Sequence, residues 1–548
     1  MKFKLFHQTL FSLTFLGVYG HGPGEGKSAK GSPEAQGPRV KTALGWIEGT
    51  FKKTEPGAKK FASYEGIPYA VPPYDGLRFK PPVKHDNFYR PHEPLMATKP
   101  GSDCPQIVDG EYKGSEDCLY LNVFTPQLDS IGHVDYPVMV WIHGGAFQFG
   151  SGSSEHYGPE RFLDKDVVLV SINYRLGPLG FLTTGDHAAP PNVGILDQQL
   201  ALRWVKDHIT SFGGNPNKVT IFGESAGGIS VMAHIASPYS RGLFQQAISM
   251  SGVWGEIPFL HKSKKPSAYA LDLAKKVGCD VSPDLSSDIA GCLRSKSPEQ
   301  LIKQAAALRV FSYLPEPFTP TWDGYMEAPV LPDQLHEVWN NPSPISMVPL
   351  MIGGNKDEGI LLLLEFLKDQ SKLSKLNEEF ATEGPALLLG VDPVEDPWLR
   401  DEGETATAEI LRSNYLGDDT DFKPENQKEM VDLLSDVHIL GPIDFTVRKL
   451  TKSKMPIYYY RYQHQGSLSL PMLRGIKEVS VKMALRYYIT FKVLGVSHFD
   501  EVFLMFKFSS LNDPALKTEE DALVSQKLVS MWTNFAKTGK PTEGDADH

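Results

Sequence analysis

A serine with glycine two positions before and two positions after it, Gly223-Glu224-Ser225-Ala226-Gly227, follows the β-branched run Val219–Phe222 and precedes an apolar helical run, Ile229–Ala236. Strand, sharp turn and helix form the context that gives G-x-S-x-G its meaning. A reactive hydroxyl must stand clear of the sheet at a tight bend, and glycines remove the side chains that would clash there. At a helix start, free N–H groups and the helix dipole also favour developing negative charge. Alone the pattern is weak, because a helix-capping serine on a glycine-rich turn would produce it too. The flanking strand and helix make Ser225 a candidate nucleophile.

Acyl transfer passes through a tetrahedral oxyanion, which fixed backbone N–H groups stabilise by ~3–4 kcal/mol per donor. Upstream, the strand-like run Val138–Ile142 leads into His143-Gly144-Gly145-Ala146-Phe147, where glycines let amides face a pocket. One donor ordinarily comes from the residue after the nucleophile, here Ala226, and the others from this earlier loop. Gly145 and Ala146 are therefore nominated, with Gly144 shaping the bend. A phosphate-binding turn is disfavoured, because no lysine follows at P-loop spacing and no G-x-G-x-x-G occurs.

Such a serine needs a base and an acid, in the chain order serine, acid, histidine. The run Val348–Ile352 ends in Gly353-Gly354-Asn355-Lys356-Asp357-Glu358-Gly359, so a strand is followed by two adjacent carboxylates, and composition does not choose between them. Downstream lie His438 in a helical pattern, His464 after a tyrosine-rich strand, His498 in a glycine-led loop and the terminal His548. The base must face the serine while its other ring nitrogen is fixed by the acid, which favours the loop histidine, His498.

The elements that must position these residues are short apolar runs at 137–142, 167–173, 218–222, 246–250, 348–352 and 457–462, separated by helical patterns such as 198–207. Continuous apolar runs suggest strands buried on both faces, and their alternation with helices predicts a mostly parallel, doubly wound α/β sheet. Segments 254–340 and 365–450 read as long, mostly helical insertions that roof the site. No repeat and no linker-like composition break follows residue 38, so residues 21–548 are read as a single domain with a flexible Gly/Pro/Ser/Lys-rich lead-in at 21–38.

Lys2 and Lys4 followed by the apolar run Leu10–Val18 and Gly20 predict a cleaved signal peptide over residues 1–20 and a secreted, extracellular protein. That run is too short to span a bilayer, and so is Gly359–Glu365. The tail Asp545–His548 matches no retention or lipid-anchor signal, so no membrane anchor is expected. Net charge is −11 with no long basic run, which disfavours nucleic acid as a partner and suits small neutral or cationic substrates. The four cysteines form two local pairs, Cys104 with Cys118 and Cys279 with Cys292, whose spacing suits small disulfide loops in an oxidising compartment rather than a zinc site. No glycosylation sequon is present, because Asn341 is followed by Pro342. The acidic run 395–404 reads as a solvated surface. Phe147 and Trp254 could line a pocket, although core packing is the commoner fate of such aromatics.

Taken with Tyr64–Pro73, Ser115–Val123, Asn173–Phe181 and Gly213–Gly228, these motifs resemble the type-B carboxylesterase/cholinesterase family over nearly the whole mature chain. The resemblance implies the α/β-hydrolase fold and hydrolysis of small-molecule carboxylic esters through an acyl-enzyme, without a cofactor or metal. Its Asp-Glu-Gly pattern implies Glu358 as the acid. Its Gly-x-x-His pattern, at Gly495 to His498, implies His498 as the base. It also implies the cysteine pairs Cys104–Cys118 and Cys279–Cys292. There are departures. The loop Pro105–Asp117 lacks the tryptophan a cholinesterase would use for a quaternary ammonium, which argues against choline esters. Insect juvenile hormone esterases, which look similar, typically show glutamine where this chain has Glu224. The family usually continues further beyond Trp532–Pro541, so a short C-terminus is expected. The competing reading is a non-catalytic binding or adhesion protein on the same scaffold; such relatives lack parts of the serine, acid and histidine set. Oligomeric state is not legible.

Overall fold

The computed structural model describes residues 37–548 except 88–92, 129–134, 255–259, 261–264, 281, 283–284, 309–315, 334–336, 341–344, 369, 391–401, 471–494, 512–515 and 543–548. The expected signal peptide, most of the lead-in, most of the acidic run and His548 lie outside the described residues. A nine-stranded sheet organises the rest: β1 (Thr50–Lys53), β2 (Lys60–Pro68), β3 (Tyr120–Thr125), β4 (Tyr136–Ile142), β5 (Val168–Ile172), β6 (Gly214–Glu224), β7 (Gln246–Met250), β8 (Leu350–Asn355) and β9 (Ile457–Tyr462). Their spatial order is β9-β8-β7-β6-β4-β5-β3-β2-β1. Strands β4 to β9 pair in parallel, as their apolar runs predict. All of β5 and the last five residues of β4 are buried, because helices cover both faces of this part of the sheet.

The antiparallel edge β1-β2-β3 was not foreseen. Its longest strand, Lys60-Phe-Ala-Ser-Tyr-Glu-Gly-Ile-Pro68, mixes lysine, serine, glutamate and glycine into the apolar positions and so carries no clean period. Strand β6 begins earlier than expected, at Gly214, with a register shift before Val219 where Pro216 cannot donate to the ladder. Helix α1 (Val193–His208) likewise starts before the expected 198–207, and α2 (Ala226–Ala236) is buried along its whole length.

One large core cluster includes α2, and a second, built around Trp141, Phe222, Phe506 and Trp532, packs under the C-terminal helix Glu519–Thr538. Thr518 caps that helix by accepting the Asp521 N–H at 3.0 Å. The insertion after β8 forms a third cluster, with Leu363, Phe380, Met430 and Leu434 at its heart. The insertion after β7 contributes helices Pro266–Lys276, Ser286–Arg294 and Pro298–Ala306. The structure joins Cys279 to Cys292 within it, and joins Cys104 to Cys118 around the hairpin formed by Gln106–Val108 and Glu111–Lys113.

Candidate active site

The chain runs from β4 outward to β5 and then returns to β6 on the other side of β4. Connections leaving β4 and β6 therefore diverge, and a crevice opens beyond their C-terminal ends. Both sequence-predicted motifs sit there. Strand β6 ends at Glu224 and α2 starts at Ala226, leaving Ser225 alone at the bend with φ 58° and ψ −122°. A non-glycine residue in such a region costs ~1–3 kcal/mol and persists only where its surroundings fix it. Here the Ser225 N–H donates to the Met250 carbonyl at 2.8 Å, and the Ser225 carbonyl accepts from Ile229 at 2.9 Å. The flanking glycines are sterically required: a Cβ on Gly227 would lie 2.0 Å from the Ile142 carbonyl oxygen, and one on Gly223 would lie 2.5 Å from it.

The loop after β4 holds three successive residues at positive φ, Gly145 (104°), Ala146 (55°) and Phe147 (59°). The Gly145 carbonyl accepts from both Gln148 and Phe149, at 2.8 and 3.1 Å, so this turn is wound on itself and its amides are set without a strand partner. His143 stacks on Tyr174 with ring centroids 4.4 Å apart, and the Tyr174 hydroxyl donates to the His143 carbonyl at 2.9 Å. Burial pushes the His143 ring down to about 4, so it is a neutral support at physiological pH. Gln106, from the disulfide-closed hairpin, fastens the far end of the loop. Its amide accepts from the Gly150 N–H at 2.8 Å and donates to the Gly150 carbonyl at 3.0 Å.

Glu358 and His498, 140 residues apart in sequence, meet beside this bend, with His498 Nδ1 2.5 Å from Glu358 Oε2. The other oxygen of Glu358 accepts from the Ser251 hydroxyl and the Asn355 N–H, each at 2.6 Å. Three donors thus hold a buried carboxylate that would otherwise be costly to desolvate. Its neighbour Asp357 turns elsewhere, accepting the Val496 N–H at 2.8 Å and so tying down the loop that carries His498. The adjacent carboxylates left equivalent by composition are separated by tertiary geometry.

His498 Nε2 lies 3.0 Å from Glu224 Oε1, yet the alignment is too poor for a hydrogen bond and neither atom has such a partner among the described residues. The contact is electrostatic. Burial pulls the His498 pKa down, but the Glu224 and Glu358 carboxylates outweigh it and hold the ring well above its ordinary value. Burial raises Glu224 in turn, against the opposing pull of His498. Nε2 therefore has no hydrogen bond to Ser225.

Ser225, Glu358, His498, Gly145, Ala146 and Ala226 all line one cavity of about 340 Å³. Its walls are mainly apolar, with Phe149, Leu361, Leu362, Ile439, Phe499 and Phe508 among them. Phe147 and Trp254 are instead fully buried, and Phe147 packs edge-on against Phe181. His464 pairs with Asp521 at 3.0 Å, away from the cavity, whereas His438 lines its wall. Sequence reading missed Glu224, Gln106, Ser251 and Asn355 as site residues. Only Glu224 carried a signal, its place inside G-x-S-x-G.

Residues 36–548 match the carboxylesterase family. A carboxylic ester hydrolase of Bombus ignitus is 35% identical over 540 residues, covering 93% of this chain and 87% of its own. A juvenile hormone esterase of Tribolium castaneum is also 35% identical, over 530 residues, covering 92% and 84%. The crystal structure of juvenile hormone esterase from Manduca sexta, with OTFP covalently attached, superposes with a TM-score of 0.77 at 26% identity, covering 92% of this chain and 91% of that one. With a parallel sheet, an elbow serine and near-complete coverage all agreeing, the chain belongs to the carboxylesterase family and is a carboxylic-ester hydrolase with the α/β-hydrolase fold.

Proposed function

We propose that this protein is a secreted serine hydrolase in which Ser225 is acylated by the ester, His498 is the base and Glu358 the acid. The observation that carries the reading is the 2.5 Å contact of Glu358 with His498 Nδ1 in the cavity that Ser225 also lines. With Nδ1–H committed to Glu358, the free lone pair of a neutral ring is on Nε2, the nitrogen that must take the serine proton. The alkoxide attacks the ester carbonyl, and the N–H groups of Gly145, Ala146 and Ala226 stabilise the oxyanion. His498 then protonates the leaving alcohol, and water repeats the cycle on the acyl-enzyme. The apolar cavity favours esters with apolar arms. Two disulfides are consistent with an oxidising compartment, and among the described residues no helix is long and apolar enough to cross a membrane.

The direct test is covalent labelling. A fluorophosphonate probe should modify Ser225, identified by peptide mass spectrometry, and p-nitrophenyl acetate should be hydrolysed by the same preparation. An unlabelled protein without turnover on any short-chain ester overturns the assignment and favours the binding-protein alternative.

Glu224→Gln should move the acidic limb of the kcat/KM profile to lower pH. The base works only as neutral imidazole, so activity is lost as pH falls through the His498 pKa, and Glu224 is a carboxylate that raises it. A pH–rate profile unchanged by the substitution would show that Glu224 does not set the charge on the ring.

Opening either disulfide by paired Cys→Ser substitution should cost about 3 kcal/mol through the entropy returned to a loop of this length. The Cys104–Cys118 pair should also lower kcat, because its hairpin supplies Gln106 to Gly150, while the Cys279–Cys292 pair should affect chiefly thermal inactivation. Equal kcat values for the two double variants would contradict this division.

A further inference from the structure

Asn355 is the last residue of β8 and is fully buried. Its backbone N–H holds Glu358 Oε1, as described above, while its side chain reaches the loop that carries His498. Asn355 Nδ2 donates to the Ser497 carbonyl at 2.8 Å and also to Glu501 Oε2. Ser497 directly precedes His498, and Glu501 lies on the short helix Asp500–Met505 that follows it. A carbonyl oxygen can only accept, so the amide nitrogen must face it, and the two N–H groups of one asparagine match these two acceptors. The amide oxygen has no hydrogen-bond partner among the described residues. A buried acceptor left unpaired costs free energy, so the place of this side chain is explained by what its nitrogen does. The segment it holds is strained. Phe499, next to His498, has φ 76°, a left-handed conformation unfavourable for an aromatic residue. Such a turn persists only where its surroundings fix it, and Asn355 fastens it on both sides. Asp357 also ties this loop, but at Val496, further from His498 and only before it.

We infer that Asn355 is a positioning residue for ester hydrolysis, whose side-chain amide sets where the His498 imidazole stands relative to the Glu358 carboxylate that its own backbone N–H holds. This inference rests on the reading of Glu358 as acid and His498 as base, and adds the group that fixes the distance between them. One residue thereby grips both members of the pair, although they come from segments far apart in the chain. A small displacement of a reacting group, on the order of 1 Å, can cost about 10²-fold in rate even when the substitution lies outside the chemistry.

The test uses the full-length enzyme, p-nitrophenyl acetate, and active sites counted by complete fluorophosphonate labelling. Asn355→Leu has a similar shape but no donor, and both it and Asn355→Ser keep the backbone N–H to Glu358. In Asn355→Leu, kcat per labelled site should fall by about 10- to 100-fold. Asn355→Ser, which is shorter and offers a single donor, should fall between that variant and the wild type. The acidic limb of the kcat/KM profile should also move to lower pH. Glu224 and Glu358 are the carboxylates that face the ring and raise its pKa, so a ring that leaves its place loosens at least one of them and stays neutral to lower pH. A residue that only supported the fold would reduce the number of labelled sites without moving this limb. The inference is overturned if kcat per site in Asn355→Leu stays within about threefold of wild type, or if it falls while the limb stays in place. Should Asn355→Leu not fold, Asn355→Ser decides by the same two readouts, and failure of both to fold would mark a structural residue and overturn the inference. Those outcomes leave wild-type turnover intact, whereas a wild type without turnover or Ser225 labelling defeats the esterase reading beneath it.

Discussion

Ser225→Ala is expected to lower kcat for a short-chain ester by about 10⁵- to 10⁶-fold with the fold intact. The elbow places one hydroxyl at the cavity floor, and the same bend accepts alanine at φ 58° as readily as it accepts serine. The glycines around it and the bond from Ser225 N–H to Met250 do not depend on the side chain. Residual turnover should come from binding and the oxyanion donors acting on water. Ser251 is the useful control, because it also lines the cavity but its hydroxyl donates to Glu358 at 2.6 Å. Ser251→Ala should reduce kcat far less, since Glu358 keeps its contacts with Asn355 and His498. Steady-state kinetics on p-nitrophenyl acetate, with circular dichroism as the check on folding, separates the two. Comparable losses in both variants would remove the basis for assigning the nucleophile.

The second large effect is expected at the paired carboxylates. Glu358→Gln should lower kcat by about 10³- to 10⁴-fold, because an amide at this position can no longer hold the ring with its proton on Nδ1 or balance the imidazolium that forms. Asp357→Asn should cost less than about tenfold, since an amide oxygen can still accept the Val496 N–H and only the loop's attachment is weakened. The contrast matters more than either number. Both residues are acidic, adjacent and buried, so a general electrostatic role would predict similar losses. Measured kcat values within a few fold of each other would reject Glu358 as the partner of His498.

Much of this protein is written locally. The elbow is legible because Gly223, Ser225 and Gly227 meet a steric demand within a few residues of one another, and the six parallel strands are legible because each is a short apolar run buried on both faces. The loop at Gly144–Ala146 could be read for the same reason, since glycine density reports backbone close approach. The β1–β3 edge was not legible, because a strand partly facing solvent tolerates polar residues that blur its period.

Other features depend on distant segments arriving together. Asp357 and Glu358 are chemically alike along the chain, and composition could not rank them until one side chain met His498 and the other met Val496. Glu224 is an inconspicuous letter in its motif until folding brings it 3.0 Å from an imidazole contributed 274 positions later. Gln106, Ser251 and His438 have no spacing that marks them. The amino-acid sequence determined the sheet, the bend and the residue types able to do acyl transfer, because those follow from steric and hydrophobic constraints over a few residues. Which carboxylate faces the histidine, what charge surrounds it and what the cavity wall offers a substrate were decided by tertiary structure alone, because they depend on burial and on distances between groups that only the folded chain sets.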